Sequence, residues 1–145
     1  MSLLKKQSDL IERYSVIPDP QERLAALISR KSTLLPLTDS EQVDDALVHG
    51  CISRVWLACT YENECCRYRI QADSPMVKAL VTLLCEIYDG AAPLEIIAVE
   101  PTLFEGLGIS QNLTPTRLNG LASVRRAIRE FAEKVTFGVA AQEAS

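Results

Sequence analysis

The stretch from Pro75 to Asp89 limits the fold more than any other part of the chain. Its clearly polar residues are Lys78, Thr82, Glu86 and Asp89, spaced by four, four and three. On a helix those spacings draw one narrow stripe and leave the rest of the surface apolar. A helix that apolar sits centrally, with other elements against most of its sides. Ser74 suits its N-cap, Pro75 its first position, and Gly90 its stop. A chain of 145 residues is long enough to build one core around it.

What precedes this helix has a different period. Cys66, Tyr68, Ile70 and Ala72 alternate with Arg67, Arg69 and Gln71, the pattern of a half-buried strand. Ile52 to Tyr61 is rich in β-branched and aromatic residues, and Glu62-Asn63-Glu64 reads as the hairpin turn between the two. Elsewhere the signals are helical. Ser8 can cap a short helix through Tyr14. Asp19, Pro20 and Glu22 open a second one, with Leu24, Leu27 and Ile28 as its apolar stripe, fading by Ser32 before Pro36. Residues 38–50 are polar and match neither period.

After Gly90, Pro93 to Val99 and Pro101 to Leu107 read as short helices, the second closed by Gly108. Ile96 to Val99 is an alternative third strand. Thr114 and Pro115 open a long last helix whose apolar face is Leu118, Leu121, Ala122, Ile128, Phe131, Ala132 and Val135. The expectation is an α+β fold, a small antiparallel sheet packed on one face by several helices. Residues 1–137 form a single domain and 138–145 a frayed tail.

Composition narrows the function classes. Apolar residues make up 48% and charged residues 23%, which excludes a largely disordered chain. Fifteen basic residues against 19 acidic ones give a net charge of −4, without the basic excess of a nucleic-acid binder. No uncharged apolar run approaches the roughly 18 residues of a membrane span. The first residues, with Lys5 and Lys6 after the leucines and Asp9, Glu12 and Arg13 close behind, do not make a secretory signal. The expected compartment is the cytoplasm.

The five cysteines, at 51, 59, 65, 66 and 85, are then free thiols rather than a disulfide framework. Cys51 is the informative one. It follows Gly50, where the backbone can take an unusual conformation, and sits where a loop enters a strand. A reactive thiol needs partial exposure and nearby positive charge, for which Arg54 and Arg117 are the candidates. Spacing alone favours the plainer reading of a small buried hydrophobe. Cys65 and Cys66 are neighbours, so on a strand they face opposite sides. Cys59 and Cys85 lie in apolar segments. A zinc or iron–sulfur site from Cys51 with Cys65 or Cys66 and His49 lacks any CxxC pair. A Cys–His hydrolase built on His49 and Cys51 lacks an oxyanion-hole motif. Arg117 stands in the first turn of the last helix, where the dipole disfavours a cation, so it is a candidate for pairing with a carboxylate or a partner. Asp73 is a candidate partner for an arginine.

His49-Gly50-Cys51-Ile52-Ser53-Arg54-Val55-Trp56-Leu57 resembles the GCxSxVW signature of the SufE family of sulfur acceptors. Three more blocks follow in the family's order. Asp73-Ser74 with Val77-Lys78-Ala79-Leu80 resembles DS…VKGL. Leu103 to Ile109 resembles F-x-x-LGL. Leu113 to Leu121 resembles L-[ST]-[PA]-[ST]-R-x-x-GL. Only Pro75 and Met76 separate Asp73-Ser74 from Val77, and Ala79 stands where the family commonly has glycine.

The resemblance implies a fold similar to scaffold proteins of the IscU type. It implies that Cys51 accepts sulfur as a persulfide from a pyridoxal-phosphate-dependent, SufS-like cysteine desulfurase and stimulates that enzyme. It implies delivery to an iron–sulfur cluster assembly complex of the SufBCD type. Asp73 and Arg117, with Gly50 and Arg54, would support the cysteine loop or docking. Such a protein is an accessory to sulfur transfer rather than a stand-alone enzyme. It needs no resident cofactor, metal, nucleic acid or membrane, and a homodimer is open. The alternative is a metal-binding or iron–sulfur scaffold using Cys51 with Cys65 or Cys66.

Overall fold

The computed structural model describes residues 2–51 and 53–144, with side chains through residue 138. The strand was expected from Ile52, which lies outside the described residues; Ser53 and Arg54 are described and precede the strand, which starts at Val55. β1 (Val55–Glu62) and β2 (Cys65–Ala72) pair antiparallel, from Val55 opposite Ala72 to Glu62 opposite Cys65. Asn63 and Glu64 both take positive φ, 54° and 64°, which is the turn whose twist matches that of the strands it joins. The alternation in β2 holds: Cys66, Tyr68, Ile70 and Ala72 are buried, while Arg67 is exposed and Arg69 and Gln71 half-exposed.

α3 (Pro75–Tyr88) packs against β2 on that buried face and against α2 (Pro20–Ser29) and α6 (Pro115–Ala144) on others. Seven of its residues, from Leu80 to Tyr88, are buried. At about 1.5–3 kcal/mol for each large side chain, this helix is the main source of hydrophobic stabilisation. Its polar stripe is covered at Glu86. Glu86 takes an ion pair from Arg30 and hydrogen bonds from the Ser32 hydroxyl at 2.5 Å and the Thr33 N–H at 3.0 Å. The fold is α+β with the helices on one face of the hairpin, as expected. The other face, with Trp56, lies under the irregular segment 35–47. There Arg69 ties down the carbonyls of Leu35 and Pro36 and the carboxylate of Glu41. That dependence on a charged strand residue explains why 38–50 carry no period of their own.

Four local readings are corrected in whole or in part. α1 (Leu3–Ser15) is capped by Ser2, not Ser8, because Leu3 is buried and its N–H donates to Glu95 at 2.6 Å, pinning the first turn. Ile96 to Val99 is not a strand: α4 (Pro93–Ala98) begins with Pro93 at its first position, and the described sheet has two strands. Ser74 holds the N-cap position of α3 as expected and its carbonyl accepts from Lys78, but its side chain makes no capping hydrogen bond and the residue lines a cavity. On α6, Leu118 and Ala122 are exposed, and the buried face runs through Leu121, Val124, Arg125, Ile128 and Ala132. Arg125 is buried because its guanidinium donates to the Ile96 and Val99 carbonyls at the end of α4 and lies over the Tyr88 ring. α5 (Leu103–Gly106) completes the elements, and Gly108 closes it at φ 70°. α6 is helical through Ala144.

Candidate functional site

The segment that enters β1 is fastened at both ends. Before it, the Val48 N–H donates to the Val55 carbonyl at 2.8 Å. After it, the Arg54 N–H donates to the Asp73 carboxylate at 3.1 Å, and the Asp73 N–H donates back to the Arg54 carbonyl at 3.2 Å. Gly50, between the anchors, has φ 95°, a conformation that glycine adopts without strain.

This geometry turns Cys51 towards the helices. Its half-buried side chain lines a cavity of about 260 Å³. Val77, Leu80 and Val81 of α3 and Leu121 of α6 give the cavity an apolar wall. Ser53, Ser74, Thr114, Thr116 and Arg117 give it a polar rim. Thr114 also caps α6, accepting from the Arg117 N–H at 3.2 Å, and so fixes where Arg117 begins. Cys51 Sγ donates to the Gly120 carbonyl at 3.6 Å, a weak bond. Burial pushes the Cys51 thiol above the ordinary thiol value, so at neutral pH it is protonated in this position. A protonated thiol is a poor nucleophile.

Of the two cations proposed from the sequence, the structure brings Arg117 to the cavity and not Arg54. Arg54 is 72% exposed and extends towards Asp73, with 3.9 Å between Nε and the carboxylate. Asp73 and Arg54 therefore act as the anchor of the segment. His49 does not share the cavity. It lines a separate groove of about 360 Å³ with Asp45, Arg126 and Glu130, so His49 is not paired with Cys51. Cys65 and Cys66 pair with Glu62 and Tyr61 at the far end of the hairpin. Six residues of strand, about 20 Å at 3.3 Å per residue, separate Cys66 from the Ala72 end. The set of Cys51 with Cys65 or Cys66 is thus not assembled. Among the described residues no cluster of three or more His, Cys, Asp or Glu side chains could hold a metal ion.

Of the other thiols, Cys59 and Cys65 are half-buried. Cys66 and Cys85 are fully buried, and Cys59, across the pair from Tyr68, is pushed up to about 12 by burial and by its neighbour Cys66. The sequence reading missed the cavity wall and Gly120. A glycine inside a helix, costly against alanine, was the signal for Gly120.

Fold and cavity together define a small α+β thiol protein, with one cysteine lodged on a tethered segment against two helices. The profile of the family described as "SufE: Fe-S metabolism associated domain" matches residues 8–132. A curated relative, an uncharacterized SufE-like protein of Synechocystis sp., is 30% identical over 115 residues, covering 79% of this chain and 72% of that one. The chain belongs to the SufE family, a family associated with iron–sulfur metabolism. Its fold is also that of a hypothetical protein from Thermus thermophilus known from a solution structure. That structure gives a TM-score of 0.73 at 24% identity, over 91% of this chain and 96% of that one. No helix among the described residues is long and apolar enough to cross a membrane.

Proposed function

We propose that this protein accepts sulfur on Cys51 from a pyridoxal-phosphate-dependent cysteine desulfurase and carries it to iron–sulfur cluster assembly. In the transfer, the Cys51 thiolate attacks the outer sulfur of the enzyme's cysteine persulfide. A new S–S bond forms at Cys51, the S–S bond on the enzyme breaks, and the enzyme's thiolate leaves. Electrons balance without an external oxidant. The pyridoxal phosphate belongs to the desulfurase, and this chain contributes only the thiol. By clearing the enzyme's persulfide it stimulates turnover. The receiving partner is an assembly complex of the SufBCD type, and the setting is the cytoplasm.

The observation that carries the reading is the place of Cys51, in an apolar cavity on a segment anchored at each end. Gly50 lets that segment turn, Asp73 and Arg54 hold its far end, and Arg117 lies where it can face sulfur as negative charge develops. The cavity shelters the sulfur from water and oxidants between partners.

The test is incubation with a SufS-like desulfurase and L-cysteine, followed by intact-mass analysis. The expected result is a gain of one sulfur that Cys51→Ser abolishes. No gain, or the same gain in Cys51→Ser, overturns the reading.

A further inference from the structure

Between its anchors the Cys51 segment rests on α6, with α3 across the cavity from it. Among the described residues, His49 and Gly50 form a local turn, and no backbone hydrogen bond ties residues 49, 50, 51 or 53 to another element. What the segment meets is α6. Cys51 Sγ reaches the Gly120 carbonyl, and Gly50 lies directly against Ser123. A Cβ added to Gly50 would fall 2.5 Å from Ser123 Oγ and 3.3 Å from its Cβ. Residues 120 and 123 are three apart and so stack on one face of the helix. The Ser123 hydroxyl donates to the Asn119 carbonyl at 3.0 Å, which fixes its rotamer.

On either side of this contact there is open space. The cavity of about 260 Å³ lies on the Gly120 side and the groove of about 360 Å³ on the Ser123 side. The segment crosses α6 as a bar between two hollows. Its resting position therefore depends on a small area of contact and is sensitive to the size of one side chain.

Resting on the reading of Cys51 as a sulfur acceptor, we infer that Ser123 is a positioning residue: with Gly120 it forms the seat on α6 that sets how often Cys51 is lodged and how often it is presented. Serine is small enough to admit the Gly50 backbone. A bulkier side chain at 123 lifts Gly50, takes Cys51 Sγ from the Gly120 carbonyl and raises the presented fraction. The affinity of a partner that binds only the presented form rises in proportion to that fraction.

The experiment is alkylation of the isolated protein with iodoacetamide, resolved by cysteine through peptide mass, across Ser123→Ala, Ser123→Thr and Ser123→Val. The expected order of Cys51 rates is Ala no faster than wild type, Thr faster, and Val about tenfold faster, while Cys66 and Cys85 stay protected. Equal Cys51 rates across the series overturn the inference. If Ser123→Val also exposes Cys66 and Cys85, the core has opened. The comparison of wild type with Ser123→Thr then decides by the same criterion. A merely structural role for Ser123 would change the core thiols and the melting temperature together and would not move Cys51 alone. No desulfurase is present in this assay. Graded labelling without sulfur gain in the mass experiment removes the acceptor reading and keeps the seat; sulfur gain with flat labelling does the reverse.

Discussion

Two regions of this molecule hold the same functional group and treat it in opposite ways. Under the hairpin, Cys66 and Cys85 are fully buried between β2 and α3, in a layer closed by Tyr68, Leu84 and Ile87. At the open end of the hairpin, Cys51 is half-buried beside a cavity, with one weak hydrogen bond and on no helix or strand of its own. Burial raises the thiol in both places, but the cost of exposing it differs. Freeing Cys85 means unfolding the core. Freeing Cys51 means lifting a few residues between two anchors, the kind of local opening that needs only a small part of the global stability. A cysteine becomes available for chemistry here through what holds its backbone, not through its residue type.

The largest effect that can break this comparison is on function. Cys51→Ser should abolish sulfur acceptance altogether. Measured by chemical denaturation, it should change stability by less than about 1 kcal/mol, since the side chain is only half-buried and serine is close to it in size. The opposite pattern is expected in the core. Ile87→Ala should cost about 2–5 kcal/mol in a denaturant titration, because its side chain is fully buried. At low denaturant its Cys51 labelling rate should stay that of the wild type, and a large rise would mean the two regions are coupled.

Alkaline pH should sharpen the contrast. The folded chain holds Cys59 up to about 12 against an ordinary thiol value of 9.0, and Cys85 is also raised. The folded state then keeps protons that the unfolded state loses. Their contribution to stability is complete below the ordinary value and declines as pH rises from there towards the folded value. Denaturation midpoints should therefore fall with rising pH across that window. Stability that is flat or rising there would contradict the burial of these thiols. The smallest effect expected is that of Tyr68→Phe. It removes a buried hydrogen bond to the Ile128 carbonyl, 3.0 Å long, and should cost about 1 kcal/mol without altering Cys51 labelling.

The core was legible in the sequence and the cavity was not. α3 and β2 announce themselves because burial imposes a strict period on each, and Asp19-Pro20, Pro93 and Thr114-Pro115 mark helix starts through local chemistry that needs no tertiary context. The start of α1 escaped because its first turn is pinned by Glu95, which lies 92 residues away in the chain. Arg125 escaped because a buried arginine looks like any other until α4 presents its carbonyls to it. At the site, Cys51, Gly50, Arg117 and Asp73 were singled out from residue type and position. Gly120 and Ser123 were not, because their part depends on the segment lying across α6. Arg54 was expected beside the thiol and instead serves the anchor with Asp73, a pairing fixed by strand register rather than by sequence distance.

The most direct measurement is the alkylation rate of Cys51 in the isolated protein and again with a SufS-like desulfurase present. A thiol lodged at rest and drawn out by its partner should react slowly alone and faster in the complex, until sulfur occupies it. Equal rates in both conditions would contradict the account.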